Sequence, residues 1–208
     1  MKVLLVNGSP NKEGCTYTAL NEVANTLNEE GVETEILWLG KKPIGGCIAC
    51  ETCGETGKCV FNDVVNTARQ KVQEADGFVF GTPVHYASAS GNMTAFMDRL
   101  FYSTPRSVFR LKPAAAVVSA RRAGTTATFD QMNKYFTISE MPVISSRYWN
   151  MIHGNTAEEA LQDGEGLYTM RVLARDMAYY LKCREAAEKL GVPLPEADAN
   201  PSFTNFIR

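Results

Sequence analysis

Short apolar runs alternate along the chain with longer segments in which apolar residues recur every three or four positions. Residues 3–6, 77–81 and 113–119 are dominated by consecutive apolar residues, and residues 32–39 alternate between apolar and polar side chains. A continuous apolar run indicates a strand buried on both faces, as in a parallel sheet, whereas alternation indicates a half-buried strand. Residues 142–145 form a shorter run. The pattern therefore predicts five strands.

Between these runs, apolar residues recur at the three- and four-residue spacing of an amphipathic helix. It predicts helices over about residues 16–30, 63–75, 92–102, 129–139 and 166–190. Strands that alternate with helices predict an α/β fold, here an open, doubly wound, five-stranded parallel sheet with helices on both faces. Sheets of this kind bind ligands beyond the carboxyl ends of their strands, where the strand order reverses.

Two segments follow neither period. Residues 40–62 contain several glycines and four cysteines, and we interpret about 43–62 as a cysteine-rich insertion. Long ordered loops in compact domains are usually functional. The proline-containing residues 191–208 predict a C-terminal tail that follows a single domain over residues 1–190.

Composition narrows the classes of partner. The 208 residues include 21 Lys and Arg against 23 Asp and Glu, a net charge of −2. This balance argues against nucleic acid or an anionic membrane as the main partner and favours small molecules or proteins. The first apolar run is too short for a signal peptide, and no segment approaches the ~20 apolar residues of a membrane span. We therefore expect a soluble, cytoplasmic protein.

The loop after the first strand, residues 7–16, is small and rich in hydroxyl groups. Backbone N–H groups and the positive end of the following helix make such a loop an anion site, to which Ser9 and Thr16 add donors. It matches neither the Walker loop nor the G-x-G-x-x-G fingerprint, which favours a mononucleotide phosphate. The alternative is an ordinary turn in which Thr16 caps the helix.

Two further loops follow predicted strands. Residues 82–91 begin with a Thr82-Pro83 turn and combine small residues with an aromatic ring, which suits a flat heteroaromatic ligand. His85 alone is weak support, since a lone loop histidine is more often a surface residue. In residues 119–125, Arg121 and Arg122 either meet a ligand phosphate or remain solvated.

The cysteine spacing is Cys47-x2-Cys50-x2-Cys53-x5-Cys59. Zinc usually takes its ligands as two separated pairs, so this compact run suits zinc poorly and suits a 4Fe-4S cluster well. The proline that follows the last cysteine of bacterial ferredoxin runs is absent. The alternative is four free thiols that form a disulfide on oxidation, although a reducing compartment favours a metal or cluster. Cys183 is expected to be a buried apolar side chain.

Several of these motifs together resemble the NADPH-dependent FMN reductase branch of the flavodoxin-like flavoproteins. They are Gly8-Ser9-Pro10 with Gly14 and Thr16, the run 82–86, and Gly91 through Phe96, Asp98 and Arg99. The cysteine motif resembles that of the iron-sulfur flavoproteins, a subgroup in which it binds a 4Fe-4S cluster beside FMN. The resemblance implies a flavodoxin-like fold.

The resemblance also implies roles for individual residues. FMN phosphate would be bound by Ser9, Asn11, Cys15 and Thr16. The flavin ring would be lined by Pro83, Val84, His85, Tyr86 and Ala87, and covered near Ser119 and Gly124. The cluster ligands would be Cys47, Cys50, Cys53 and Cys59.

The implied activity is that of an FMN-dependent oxidoreductase. It would pass electrons from NADPH or NADH to a small acceptor such as a quinone, a flavin, or a nitro or azo compound. The alternative is an electron carrier that accepts electrons from ferredoxin, and a third interpretation is a nucleotide-binding module without redox activity, because a fold alone never establishes activity. The resemblance also implies a homodimer or homotetramer.

Overall fold

Five parallel strands form the main sheet in the computed structural model, which describes residues 1–196. The five are β1 (Lys2–Asn7), β2 (Glu33–Trp38), β3 (Gly77–His85), β5 (Ala114–Ala120) and β6 (Met151–His153), and a sixth, short strand is β4 (Ser88–Ala89). Their order is β2-β1-β3-β5-β6, and the two-residue β4 pairs antiparallel with β3. This is the order of the flavodoxin-like fold, so the predicted fold class is confirmed.

Helices cover both faces of the sheet, as predicted. They are α1 (Cys15–Glu29), α2 (Thr52–Thr56), α3 (Val64–Glu74), α4 (Gly91–Ser103), α5 (Thr125–Ile138), α6 (Ala157–Ala160) and α7 (Gly164–Lys189). One hydrophobic core lies under α1, α6 and α7, and a second lies under α3, α4 and α5. None of the helices in residues 1–196 combines the length and apolar character that crossing a membrane requires.

The continuous apolar run of β1 serves both cores. Val3 and Leu5 contact the core under α1 and α7, whereas Leu4 and Val6 contact the core on the opposite face. All four side chains are fully buried. Successive side chains of a strand point to opposite faces of the sheet. A strand that is covered on both faces therefore has apolar residues at consecutive positions and does not alternate between apolar and polar ones.

The predicted fifth strand at residues 142–145 is wrong. Val143 forms only an isolated bridge with Ala114 at the amino end of β5. The outer position of the sheet belongs to β6, whose Met151 pairs with Val118 near the carboxyl end of β5. The chain thus runs beside β5 twice, and three residues are too few for β6 to show any period in the sequence.

The predicted Thr82-Pro83 turn is also wrong, because β3 continues through it to His85. Pro83 lies opposite Ser119 of β5, beyond the point where β1 ends beside β3. A proline is tolerated where its missing N–H faces no neighbouring strand. The extension lets β3 turn back into β4 as a hairpin at the edge of the candidate site.

Three local expectations change as well. The cysteine segment, expected to lack helical structure, contains the five-residue α2. Helix α5 begins at Thr125, four residues before the predicted start. Cys183, expected to be buried, is exposed because it lies on the outer face of α7, away from the buried Leu181.

Phe80 provides a test of the core under α4 and α5. Its ring contacts those of Phe101 and Phe136, with centroids 5.8 and 5.4 Å apart. We expect Phe80→Ala to lower the free energy of unfolding by about 3–5 kcal/mol, because the cavity cannot collapse in a packed core. Urea unfolding measures this. Tyr179→Ala, at an exposed position, should stay within about 0.5 kcal/mol of the parent; equal losses in both variants would contradict this packing.

Candidate functional site

The carboxyl ends of the parallel strands open into one cleft of about 730 Å³. Its walls come from the loops that follow β1, β5 and β6, from the end of β3, and from the end of β2 with Lys41 beyond it. It lies where the order of strands reverses between β1 and β3, since α1 leaves β1 on one face and α4 leaves β3 on the other. This is the position expected for a ligand.

The loop after β1 is held in shape by its own hydrogen bonds. Asn7, fully buried at the end of β1, accepts at Oδ1 from the backbone N–H of Ser9 (3.0 Å) and donates from Nδ2 to the carbonyl of Lys12 (3.0 Å). The Ser9 hydroxyl oxygen accepts from the N–H of Asn11 (3.1 Å), and Trp38 Nε1 donates to the Ser9 carbonyl (2.8 Å). Because the Ser9 hydroxyl group acts as an acceptor in this loop, its proton remains available to a ligand.

Helix α1 presents its N-terminus to the cleft without a side-chain cap. Its N-cap is Gly14, which provides no capping hydrogen bond, and its first turn contains no acidic residue. Thr16 is therefore not the cap; its hydroxyl instead lies 2.8 Å from that of Ser119, in a buried contact between α1 and β5. Free N–H groups and the positive end of the helix dipole favour an anion here.

Cys15 connects this loop to the segment after β6. Its Sγ donates to the carbonyl oxygens of Gly154 (3.3 Å) and Thr156 (3.1 Å). Burial raises the pKa of the Cys15 thiol, and the nearby carboxylates of Glu159 and Glu158 add to the effect. Cys15 is thus a neutral thiol that joins two walls of the cleft.

The end of β3 supplies the less polar wall. Pro83, Val84 and His85 line the cleft. The turn beyond them has positive φ at Tyr86 (52°) and Ala87 (57°), the backbone of a type I′ turn without its usual Asn-Gly signal. Tyr86 projects fully into solvent and does not line the cleft.

The hairpin that carries this turn is held from two sides. Gln131 of α5 accepts at Oε1 from the Ser88 hydroxyl (2.8 Å) and from the N–H of Ala89 (3.0 Å). Gly124, which has φ of 92°, lies against it, and a Cβ there would stand 2.8 Å from Val84 Cγ1. Gly124 therefore positions the β3 wall and does not itself line the cleft.

The structure brings most of the sequence-predicted cofactor residues together around the cleft. Those that line it are Ser9, Asn11, Cys15, Thr16, Pro83, Val84, His85 and Ser119. Those that do not are Tyr86, Ala87 and Gly124. Tyr86 and Ala87 form the turn between β3 and β4, and Gly124 packs against that hairpin. Contact of these three residues with a flavin ring stays a prediction.

Other residues of the cleft were missed by the sequence reasoning. Trp38 is the last residue of β2, Lys41 lies three residues beyond it, and residues 154–158 follow β6. The rule that ligands meet the carboxyl ends of strands points to both segments. The second was missed because β6 was placed at residues 142–145. Arg121, left open between ligand and solvent, also lines the cleft.

The four cysteines of the insertion line one small cavity of about 20 Å³. Cys47 and Cys50 are exposed, whereas Cys53 and Cys59 are partly buried. The Thr52 hydroxyl, followed by the Thr52 N–H, lowers the pKa of the Cys50 thiol. In residues 1–196 no group of three or more His, Cys, Asp or Glu side chains is placed to hold a metal ion.

A buried arginine organises this segment. Arg99 of α4 is 1% exposed and pairs with both oxygens of Asp63, at 2.7 and 2.9 Å. Its Nη1 donates to the carbonyl of Gly45, its Nε lies 3.2 Å from Cys59 Sγ, and its guanidinium stacks 4.8 Å from the centroid of the Phe61 ring. One cation therefore fixes both ends of the cysteine segment.

Helix α4 makes a second attachment two turns earlier. Asn92, seven residues before Arg99 and on the same helix face, accepts at Oδ1 from the N–H of Ile44 (3.1 Å) and donates to the carbonyl of Lys42 (3.0 Å). Asp63, the partner of Arg99, also caps α3 by accepting from the N–H of Val65 (3.1 Å). The segment is thus hydrogen-bonded along α4 and joined to the start of α3.

Comparison with known proteins identifies the family of this chain. The family model for NADPH-dependent FMN reductases matches residues 1–156. An iron-sulfur flavoprotein of Methanocaldococcus jannaschii is 34% identical over 192 residues, a match that covers 88% of this chain and 98% of the relative.

Solved structures share the fold at lower identity. RosB with bound 8-demethyl-8-formylriboflavin-5′-phosphate has a TM-score of 0.69 at 14% identity, and the match covers 100% of this chain and 92% of RosB. A flavodoxin from the domain Archaea has a TM-score of 0.59 at 17% identity, covering 88% of this chain and 99% of the flavodoxin. The chain belongs to the NADPH-dependent FMN reductase family and is an oxidoreductase homologous to the iron-sulfur flavoproteins.

Proposed function

We propose that this oxidoreductase binds FMN in the cleft and a 4Fe-4S cluster at the four cysteines, and passes electrons from NADPH or NADH to a small acceptor. The acceptor would be a quinone, a flavin, or a nitro or azo compound. The observation that carries the proposal is the uncapped N-terminus of α1 at a cleft of about 730 Å³, in a chain of the FMN reductase family.

The residues of the cleft suit FMN in both charge and shape. The free N–H groups of α1 and the Ser9 hydroxyl would bind the phosphate. The cleft is also lined by three cations, Lys12, Lys41 and Arg121, against the two carboxylates of Glu13 and Glu158. Pro83 and Val84 offer an apolar surface to a flat ring. When bound, FMN supplies the redox chemistry, accepting hydride from a nicotinamide and returning electrons to an acceptor.

The cysteine segment suits a thiolate-bound cluster by its donors. Four thiols surround one cavity, and Arg99 places a buried positive charge 3.2 Å from one of them, Cys59. The guanidinium would lie beside the negative charge that four cysteine ligands bring to a cluster. The Arg99–Asp63 pair would keep Cys59 in position while the more exposed Cys47 and Cys50 close around the cluster.

The alternative function is an electron carrier that accepts electrons from ferredoxin. Its support is that Cys47 and Cys50 are exposed, so that a cluster bound there would lie near the surface, within reach of a protein donor. The relative from Methanocaldococcus jannaschii is itself named an iron-sulfur flavoprotein. The predicted homodimer or homotetramer is compatible with either function.

Replacing Ser9 tests the phosphate site. We expect Ser9→Ala to weaken FMN binding by about tenfold to a hundredfold, because a hydrogen bond to a charged group contributes about 1.5–3 kcal/mol. Flavin fluorescence quenching on addition of apoprotein measures the affinity. Ser107→Ala, at an exposed serine away from the cleft, should bind as the parent does. If Ser9→Ala binds FMN with parental affinity, the phosphate lies elsewhere.

Replacing Cys50 tests the cluster. Anaerobically reconstituted Cys50→Ala is expected to lose most of its iron and sulfide, while its circular dichroism stays that of the parent because Cys50 is exposed and packs against no core. Iron and sulfide analysis with circular dichroism checks both points. Cys183→Ala, also an exposed cysteine, is the control and should keep its iron. Unchanged iron in Cys50→Ala would rule out a four-cysteine cluster.

Anaerobic reduction distinguishes the two functions. With reconstituted protein, rapid bleaching of the flavin absorbance by NADPH or NADH alone is expected for the reductase, since a cleft of about 730 Å³ would leave space for a nicotinamide beside a bound flavin. Stopped-flow spectroscopy measures the rate. Reduction that occurs only when reduced ferredoxin is present would instead establish the electron carrier.

A further inference from the structure

Arg99 lines the same cavity as the four cysteines of the insertion. Its Nε donates a hydrogen bond to Cys59 Sγ at 3.2 Å. The other two nitrogen atoms of its guanidinium donate to both oxygens of Asp63 and to the carbonyls of Gly45 and Phe61. These bonds would hold the segment without the one to sulfur, so the contact between Nε and Cys59 is open to a separate role.

The backbone of Cys59 is fixed as well as its sulfur atom. Its N–H donates to Oδ1 of Asn66 (3.0 Å), and Nδ2 of the same asparagine donates to the Cys59 carbonyl (2.9 Å). Asn66 lies in α3 and Arg99 lies in α4, so residues of two helices bind this cysteine. The fold therefore sets the distance between the guanidinium and the sulfur atom.

The remaining walls of the cavity are largely apolar. Ile48, Val60, Phe61 and Tyr102 line it. An apolar lining lowers the local dielectric constant, which strengthens the effect of a nearby charge or hydrogen bond. Glu51 also lines the cavity, but its side chain is exposed, so water screens its charge more than that of the buried Arg99.

A hydrogen bond or a positive charge beside a cysteine ligand raises the reduction potential of an iron-sulfur cluster. One-electron reduction adds a negative charge to the cluster and its thiolates, and a nearby donor or cation stabilises that added charge. The carboxylate of Asp63 has the opposite effect, because it repels the added charge. Arg99 is the member of the pair that contacts the sulfur atom, so its influence is the larger.

We propose that Arg99 raises the reduction potential of a 4Fe-4S cluster held by the four cysteines, through its hydrogen bond to Cys59, and that Asp63 limits the increase. The inference rests on the proposed cluster and adds a role for two residues outside the cysteine motif. Arg99 acts through Cys59 and contributes no ligand. The consequence is a centre that a weaker reductant can reduce than the four cysteines alone would allow.

Two variants of the pair are expected to shift the potential in opposite directions. Asp63→Asn removes the negative charge and should raise the potential; it keeps the cap of α3, because asparagine caps helices as well as aspartate. Arg99→Lys keeps the positive charge but loses Nε and the planar guanidinium, and should lower the potential.

Redox titration of the anaerobically reconstituted full chain, followed by the EPR signal of the reduced cluster, measures the midpoint potential. Asp130→Asn and Arg175→Lys make the same substitutions at exposed positions of α5 and α7, and both should leave the potential unchanged. Iron and sulfide analysis and circular dichroism are recorded for each protein.

The outcomes separate this inference from the proposed function. If the parent and both variants bind the cluster at one potential, Arg99 is only a structural clamp, and the inference is wrong while the cluster stands. If the reconstituted parent contains no iron, the proposed cluster and the inference are both wrong. If Arg99→Lys loses its fold or its iron, Asp63→Asn decides alone, and an unchanged or lowered potential in that variant overturns the inference.

Discussion

The position of β1 between β2 and β3 in a parallel sheet is the constraint on which the site depends. Because β1 is bounded by β2 on one side and β3 on the other, the connections that leave β1 and β3 must cover opposite faces. The carboxyl ends of these strands consequently remain open to solvent between two diverging helices. The fully buried Asn7 converts this opening into a shaped anion loop by bonding to both Ser9 and Lys12.

A single connection in this sheet serves both candidate centres. As the chain leaves β2, Trp38 and Lys41 contribute to the flavin cleft, and the cysteine segment follows directly. Asn92 and Arg99 then fasten that segment along α4, the helix that begins beside the cleft. The cysteine segment is therefore hydrogen-bonded to a helix that packs on the same sheet whose strand ends form the cleft.

Sequence reasoning succeeded where the local pattern and the fold agree. The buried runs of β1 and β5 are continuous because both faces of those strands are covered. It failed where pairing with a distant strand overrides the local signal. The extension of β3 through Pro83 depends on β5, and the short β6 exists only because the carboxyl end of β5 has a free edge. The Tyr86-Ala87 turn was missed for the same reason, since its backbone is imposed by the hairpin.

By itself the sequence determined the α/β class, the small, hydroxyl-rich loop after β1 and the compact cysteine spacing. These are local properties, set by periodicity, turn chemistry and spacing along a few residues. Only the tertiary structure decided that the segment after β6 meets Cys15 and that Arg99 reaches Cys59. Such contacts join residues far apart in the chain, and they arise from strand pairing and helix packing, which no short stretch of sequence encodes.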